Sequence, residues 1–194
     1  MNVGGLTLAN GAVATLASVG AGRSAANHRV LVVHADALSI DSSSTLDLAD
    51  NDLVLDYSGP SPAAGVEGMV RTGFNGGDWL GKRITSSSAN ANRNFALGVA
   101  DNSRLTIPFG DGTTGRLFSG QAVDSTALLV KFTHRVDLDL DGVITTNDAT
   151  IFNSNYSEGG AARWGIGDVD FDGLFTTNDA TLFNSFYDES LGAV

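Results

Sequence analysis

The chain has 194 residues, of which 42% are hydrophobic, and its formal net charge is −11. This length supports one sizeable core and a small second domain, and no run approaches the roughly 20 apolar residues of a membrane-spanning helix. The acidic sequence pI of about 4.4 and the lack of a basic cluster argue against nucleic-acid binding. Because there is no cysteine, disulfide support is excluded.

Most of the first 136 residues alternate in the manner of short β-strands. Six runs are predicted as strands, at residues 6–8, 12–16, 29–33, 37–40, 45–48 and 52–57, separated by Asn, Asp, Ser and Gly turns. The 24 glycines and three prolines also favour a turn-rich β architecture. We therefore predict a mainly β fold, with residues 1–134 forming a β-solenoid in which successive coils stack. A jelly-roll-like β-sandwich is the alternative.

No catalytic arrangement is recognisable in this body, and the chain is predicted not to be an enzyme. The three histidines do not have the spacing of a metal site, and Trp79 is expected to fill the core and not to stack on a sugar. Residues 85–94 are poor in apolar side chains and predict an exposed loop or one short helical turn. The acids outside the C-terminal region follow no glycosidase spacing: Glu67, Asp78, Asp101, Asp111 and Asp124.

A twelve-residue pattern occurs twice near the C-terminus. Residues 137–148 read DLDLDGVITTND, and residues 168–179 read DVDFDGLFTTND. Calcium loops place acids at positions 1, 3, 5 and 12, glycine at 6, a carbonyl ligand at 7 and a water-binding side chain at 9. Both copies satisfy this pattern, with Asp at position 12. The predicted ligands of two Ca²⁺ ions are Asp137, Asp139, Asp141, Val143, Thr145 and Asp148, then Asp168, Asp170, Asp172, Leu174, Thr176 and Asp179.

The flanking sequences differ from those of a complete EF-hand, which has a helix on each side of its loop. Residues 128–134 predict a strand before the first loop, and two glycines within residues 164–167 exclude an α-helix before the second. Residues 149–156 and 180–187 carry apolar side chains at helical spacing. Each repeat is therefore a loop followed by a single helix.

Residues 137–190 resemble the dockerin type I domain, whose two loop-helix repeats bind two calcium ions. The resemblance implies the ligand set given above and a separate domain at residues 135–194. It also implies a cohesin-like partner, although the basic residues typical of cohesin-binding dockerins are missing. The corresponding positions are Thr146, Asn147, Asn153 and Ser154 in the first repeat, and Thr177, Asn178, Asn184 and Ser185 in the second.

Charge is concentrated in this repeat. Residues 137–194 hold 11 of the 22 acids but only one of the 11 basic residues, Arg163. Without a cation, the loop carboxylates repel each other, and two Ca²⁺ ions would cancel four charges. We therefore expect the free energy of metal binding to contribute directly to folding of the repeat.

The run of Leu, Asp and Gly motifs at residues 46–59, 73–81 and 96–102 resembles the C-terminal segment of large β-helical, autotransporter-repeat-like surface proteins of planctomycete-type bacteria. This resemblance implies an extracellular or cell-surface structural protein, and millimolar extracellular calcium agrees with that location. Residues 1–20 do not read as a secretory signal, so we expect a processed chain or another export route.

Three functional classes follow from these features. The first is a non-catalytic assembly module, in which the repeat mediates attachment or subunit contact and open strand edges give a filament. The second is a dockerin-bearing appendage of a polysaccharide-degrading system. The third is a carbohydrate-binding module with a polysaccharide ligand.

Overall fold

The structure is a computed structural model that describes residues 1–24, 27–34, 37–110 and 115–191. Its strands are β1 (Asn2–Val3), β2 (Leu6–Leu8), β3 (Val13–Thr15), β4 (Val30–His34), β5 (Leu38–Ile40), β6 (Thr45–Asp47), β7 (Asp52–Asp56), β8 (Arg83–Thr85), β9 (Phe95–Asp101) and β10 (Ala127–His134). Its α-helices are α1 (Ala63–Phe74), α2 (Ser87–Ala91), α3 (Thr146–Asn155) and α4 (Thr177–Leu191). Among the described residues, no helix is both long and apolar enough to span a membrane.

The first six strands form two stacked coils. Strands β1, β2 and β3 make coil 1, and each pairs in parallel with its counterpart in coil 2, which consists of β4, β5 and β6. Leu6 lies opposite Leu38 and Val13 lies opposite Thr45, so the coils are nearly in register. Inward-facing Val33, Ile40 and Leu46 of coil 2 are buried. Alternating short runs with turn residues between them therefore produce the coils.

Side chains at the turns also join the two coils. The Asp41 carboxylate accepts a hydrogen bond from the backbone N–H of Asn10 (2.7 Å) in coil 1. The Asp50 carboxylate likewise accepts from the N–H groups of Val19 (2.9 Å) and Gly20 (2.6 Å). These bonds satisfy backbone groups that the tight turns leave without a ladder partner.

The stacking continues only in part beyond coil 2: the fold is mixed α/β, not clearly mainly β as predicted, and it does not form the predicted β-solenoid. Strands β7 and β8 extend two of the stacks, but α1 occupies the interval between them. Strands β9 and β10 then pair antiparallel, giving a five-stranded mixed sheet in the order β1-β4-β7-β10-β9. About 29% of the chain is helical and 26% is strand, so the fold is mixed α/β. The parallel pairings also differ from the antiparallel sheets of a jelly roll.

Helix α1 was not predicted because three glycines lower its intrinsic helix propensity. Packing explains its presence. A Cβ atom at Gly73 would lie 1.8 Å from the carbonyl oxygen of Ile84, so the end of α1 approaches β8 more closely than any other residue would permit. Val66, Val70 and Phe74 on the same helix are buried in the body. Tertiary contacts therefore override the weak local preference.

As predicted, each repeat has an α-helix after its loop and no α-helix directly before it. Helices α3 and α4 follow the two loops, and a 3-10 turn at Trp164–Ile166 precedes the second loop. Phe152 of α3 stacks on Phe183 of α4, with ring centroids 4.4 Å apart. These aromatic rings belong to a second, smaller apolar cluster inside the repeat.

Three side chains of the repeat belong to the core of the body instead. Leu140, Trp164 and Phe171 are fully or almost fully buried among the side chains of the β-strands and α1. Gly98 on β9 makes room for two of them. The predicted domain division at 134/135 is therefore crossed by a continuous apolar interior.

Replacing Gly98 with alanine tests this close contact. An added Cβ would lie 2.4 Å from the Trp164 ring and 2.7 Å from the Leu140 side chain, so both would have to shift. We expect Gly98→Ala to lower the free energy of unfolding by about 1–3 kcal/mol, measured by urea denaturation in calcium. Gly68→Ala is the matched control. It has open space around it on α1 and should be neutral or stabilise the protein by up to about 1 kcal/mol. Equal stability of Gly98→Ala and the unmodified protein would contradict the proposed packing.

Candidate metal centre

The two predicted calcium loops occupy equivalent positions in the fold. Loop 1, residues 137–148, follows β10 and ends in the first turn of α3, whereas loop 2, residues 168–179, leads into α4. The fourth residue of each loop, Leu140 or Phe171, has a φ angle of 60°. This left-handed backbone folds each loop back on itself and directs acids from both halves towards its centre.

In loop 1, three of the predicted ligands converge. One carboxylate oxygen from each of Asp137, Asp139 and Asp141 lies within 4.8 Å of the others. Asp137 is fully buried and Asp139 nearly so, while Asp141 is exposed. Three oxygens brought together at one point provide the hard, anionic ligands that Ca²⁺ prefers.

In loop 2, the converging acids are Asp168, Asp170 and Asp179. The Oδ1 atom of Asp168 is buried and has no hydrogen-bond partner among the described residues. An unpaired carboxylate oxygen inside a protein is costly, and a bound cation would remove that cost. The residues present therefore fit a divalent cation at this position.

The closing acids also organise the helix starts. Asp148 accepts from the N–H groups of Leu138 (2.8 Å) and Thr145 (2.8 Å), and Thr145 forms a capping box with it at the start of α3. In loop 2, Asp179 accepts from Val169 (3.1 Å) and Thr176 (2.9 Å). Asp148 and Asp172 lie outside the two converging triads. Each closing acid thus links both ends of its loop.

The hydrogen bonds of the two loops repeat one another. The N–H of Gly142 donates to Asp137 (2.9 Å), and the N–H of Gly173 donates to Asp168 (3.0 Å). The N–H of residue 7 in each loop donates to the acid at position 5: Val143 to Asp141 at 2.9 Å, and Leu174 to Asp172 at 2.8 Å. Val143 and Leu174 have exposed side chains, so packing does not account for their place in the loops.

Basic residues from outside the loops contact both of them, and the loop pattern in the sequence gives no sign of these contacts. The Nζ of Lys131 on β10 donates to the carbonyl oxygen of Leu140 (2.6 Å). In loop 2, an Nη2 atom of Arg71 on α1 lies 3.9 Å from the Oδ2 of Asp168. Only the fold brings these residues to the loops, since they are 9 and 97 positions away from their partners. They offset part of the loop charge but leave the Oδ1 of Asp168 unpaired.

Burial raises the pKa values of several loop acids. The pKa of Asp148 is raised to about 6 and that of Asp168 to about 7, in each case mainly by desolvation and then by neighbouring carboxylates. Burial also raises the pKa of Asp137 strongly. Without a cation, nothing balances the negative charge of these buried carboxylates. The folded, metal-free loops therefore bind protons more readily than ordinary aspartates do.

Two of the dockerin-like surface positions have a role within the loops. The side-chain amide of Asn147 donates to Asp139 (2.6 Å), and Asn178 makes the same bond to Asp170. The other six positions of that set are exposed and uncharged. At these six positions the surfaces of α3 and α4 therefore present neutral polar groups.

Outside the loops, other polar residues have structural roles. Buried Asp52 accepts hydrogen bonds from Phe132 N–H (2.9 Å) and Ser119 Oγ (2.6 Å). Its Oδ2 also lies 3.0 Å from Nε2 of His28. Trp79 is 3% exposed and packs edge-on against Phe74, so its ring is not accessible to a sugar.

No family model matches the chain, and neither a curated protein nor a solved structure matches it. The assignment of a metal site therefore depends on the loop geometry alone.

Neutralising one acid tests the assignment of loop 2. We expect Asp168→Asn to reduce the calcium stoichiometry from two ions to one, because it removes charge from the buried ligand at position 1. Isothermal titration calorimetry measures the number of sites. Asp188→Asn, on the exposed surface of α4, removes the same charge and should retain two sites. Two intact sites in Asp168→Asn would refute the assignment.

The pKa shifts predict how pH affects the calcium-free protein. Since the folded-state pKa values of Asp148 and Asp168 exceed the ordinary 3.8, the folded protein binds more protons than the unfolded chain between about pH 4 and pH 7. Stability is therefore greatest below pH 4 as far as these groups are concerned, and it falls as pH rises through 6 and 7. We expect a loss of roughly 4 kcal/mol between pH 5 and pH 8. Denaturation in calcium-depleted buffers measures it, and greater stability at pH 8 would contradict the expectation.

Proposed function

We propose that the chain is a non-catalytic extracellular structural module whose C-terminal repeat binds two Ca²⁺ ions and thereby fixes the β-rich body. The observation that carries this proposal is the position of the fourth residue of each loop. Leu140 and Phe171 sit among the acidic ligands in sequence, yet both side chains are buried in the body. Any rearrangement of a loop therefore moves a side chain of the main core.

The contacts of Phe171 support this coupling. Its ring lies 5.1 Å from Phe74 and 6.2 Å from Trp79, measured between centroids, so loop 2 joins the aromatic residues at the end of α1. In loop 1, Leu140 lies beside Gly98 and Trp164. Each loop thus has acidic oxygens on one face and one apolar side chain inside the body. A bound cation that rigidifies the loop would therefore also fix that apolar side chain in the core of the body.

Arg135 adds a polar connection at the same junction. Its guanidinium donates to the carbonyl oxygen of Val169 at 3.2 Å and lies over the rings of Phe74 (5.3 Å) and Phe186 (4.9 Å). It therefore links the end of β10, helix α1, loop 2 and helix α4. Cation-π contacts of this kind stabilise by about 0.5–2 kcal/mol, which supports a structural role for the junction.

Two considerations favour a structural module over the alternatives. The exposed dockerin-like positions lack basic residues, which weakens the case for a cohesin-like partner of the cellulosomal type. Trp79 and Trp164 are both buried, which removes the two largest aromatic surfaces from any polysaccharide site. An extracellular location agrees with constitutive calcium sites, because calcium there is at millimolar concentration.

Calcium removal should affect the body as well as the repeat. We expect EDTA to accelerate amide hydrogen exchange in β9 and β10 at least tenfold and to lower the melting temperature, because Leu140 and Phe171 lose their fixed positions. Hydrogen exchange read by mass spectrometry measures each segment separately. Exchange in β5, which pairs with β2 in a sheet separate from β9 and β10, serves as an internal reference. Unchanged exchange in β9 and β10, with altered exchange confined to residues 137–191, would refute the coupling.

A variant separates metal binding from its effect on the body. Leu140→Ala should still bind two Ca²⁺ ions, because the residue supplies no ligand, but calcium should protect β9 less than in the unmodified protein. Leu80→Ala removes the same side chain from a site that is 67% exposed and should leave both properties unchanged.

A further inference from the structure

The position-1 acids of the two loops differ in how many hydrogen bonds they accept. Oδ2 of Asp137 accepts from the hydroxyl of buried Thr133 on β10 and from the N–H of Gly142 (2.9 Å). Its Oδ1 accepts from the N–H of Asp141 (3.1 Å). An ionised carboxylate has about four lone-pair sites for such bonds. Most of the accepting capacity of Asp137 is therefore used by the protein itself.

Asp168, the corresponding acid of loop 2, has fewer partners. Its Oδ2 accepts from the N–H of Gly173 (3.0 Å), whereas its buried Oδ1 has no hydrogen-bond partner among the described residues. Thr133 precedes loop 1 by four residues, and the residue at the same distance before loop 2 is Trp164, which has no hydroxyl. More oxygen lone pairs are thus available to a cation in loop 2 than in loop 1.

The basic residues beside the loops differ in the same sense. A Cβ atom on Gly142 would lie 3.4 Å from Nζ of Lys131, which is partly buried and donates to the carbonyl oxygen of Leu140 (2.6 Å). In loop 2, a Cβ atom on Gly173 would lie 2.9 Å from Nη2 of Arg71. The Arg71 side chain is 49% exposed and 3.9 Å from the position-1 acid. Water and salt therefore screen its charge more than that of Lys131.

These contacts reduce what a cation can add to loop 1. A positive charge beside a loop stabilises the crowded carboxylates when no ion is bound, and it repels a divalent ion when one is bound. Both effects weaken calcium binding, and both are larger for Lys131 than for exposed Arg71. The Thr133 hydroxyl acts in the same direction, because it stabilises the Asp137 carboxylate whether or not an ion is present.

We propose that the two sites are inequivalent: loop 2 binds Ca²⁺ first, and Thr133 and Lys131 are positioning residues that keep loop 1 at lower affinity. This inference rests on the proposed function, because it gives an order to the same two binding events.

Ordered binding would fix the body in two steps. The ring of Phe171 in loop 2 lies 5.1 Å from that of Phe74 on α1, whereas Leu140 in loop 1 lies beside Gly98 on β9. Rising calcium therefore protects the end of α1 first and β9 second. A protein of this kind responds to calcium over a wider concentration range than two identical, independent sites would allow.

Single-site variants of the full chain test the order, with calcium as the titrant. Asp137→Asn leaves loop 2 as the intact site, and Asp168→Asn leaves loop 1. We expect isothermal titration calorimetry to give a Kd for loop 2 at least about tenfold below that for loop 1, because a unit charge a few ångströms from a divalent ion is enough to change Kd by that factor. Equal Kd values, or tighter binding by loop 1, would overturn the proposal.

Two further substitutions, each combined with Asp168→Asn, identify the residues responsible. Lys131→Met removes the charge and keeps most of the stem, and Thr133→Val removes the hydroxyl and keeps the shape. Each should tighten binding by loop 1 at least about threefold, whereas replacing a residue with only a structural role would weaken it. Lys82→Met, at the other lysine of the chain, which is exposed, is the matched control and should leave Kd unchanged. Unchanged or weaker binding in both variants, with circular dichroism showing a retained fold, would overturn the assignment.

The outcomes separate this proposal from the proposed function. If the unmodified chain binds two ions with indistinguishable affinity and calcium still protects β9 and β10, the order is wrong and the calcium-coupled structural role stands. If the unmodified chain binds no calcium, the proposed function fails and the order fails with it. Hydrogen exchange at increasing calcium provides an independent measurement. Protection of α1 at lower calcium than β9 is expected, and the reverse sequence would overturn the order.

Discussion

Crowding of carboxylates in two short loops is the constraint on which the C-terminal half of this structure depends. Asp137 and Asp168 are almost completely buried beside other acids, and no apolar packing can offset that electrostatic cost by itself. The left-handed turn that gathers the acids also points the residue between them the other way, into the body. A single local conformation therefore gathers the acids that could hold a cation and also directs Leu140 or Phe171 into the body.

The convergence of acids within each loop could be predicted from sequence because the loop geometry is local, whereas calcium binding itself stays a prediction. Spacing of one residue between Asp137, Asp139 and Asp141 is enough to bring their oxygens to one centre, and the glycine and threonine that follow determine the turn and the start of α3. The short strands of both coils were also largely predicted, since period-two alternation directly reflects a half-buried strand.

Long-range pairing could not be predicted in the same way. Nothing near Arg71 indicates that it will lie beside Asp168, and the glycines of α1 argue against the helix that carries it. The solenoid prediction failed for a related reason. Alternation identifies a strand but not the direction of its partner, so the sequence did not reveal that β9 and β10 pair antiparallel. Long-range contacts, the helix α1 and the direction of strand pairing depend on packing between segments that are far apart in the sequence.

The burial of Trp164 against Gly98 has a consequence for the modularity of the repeat. Although residues 135–194 look like a separable unit in sequence, moving them to another protein would expose the indole, Leu140 and Phe171, which the body now buries. The donor body would be left with a hollow beside β9. A recipient would need a glycine at the matching position and a helix end with an aromatic residue equivalent to Phe74. Inheritance of this repeat by recombination would thus be restricted to bodies that already possess the complementary surface.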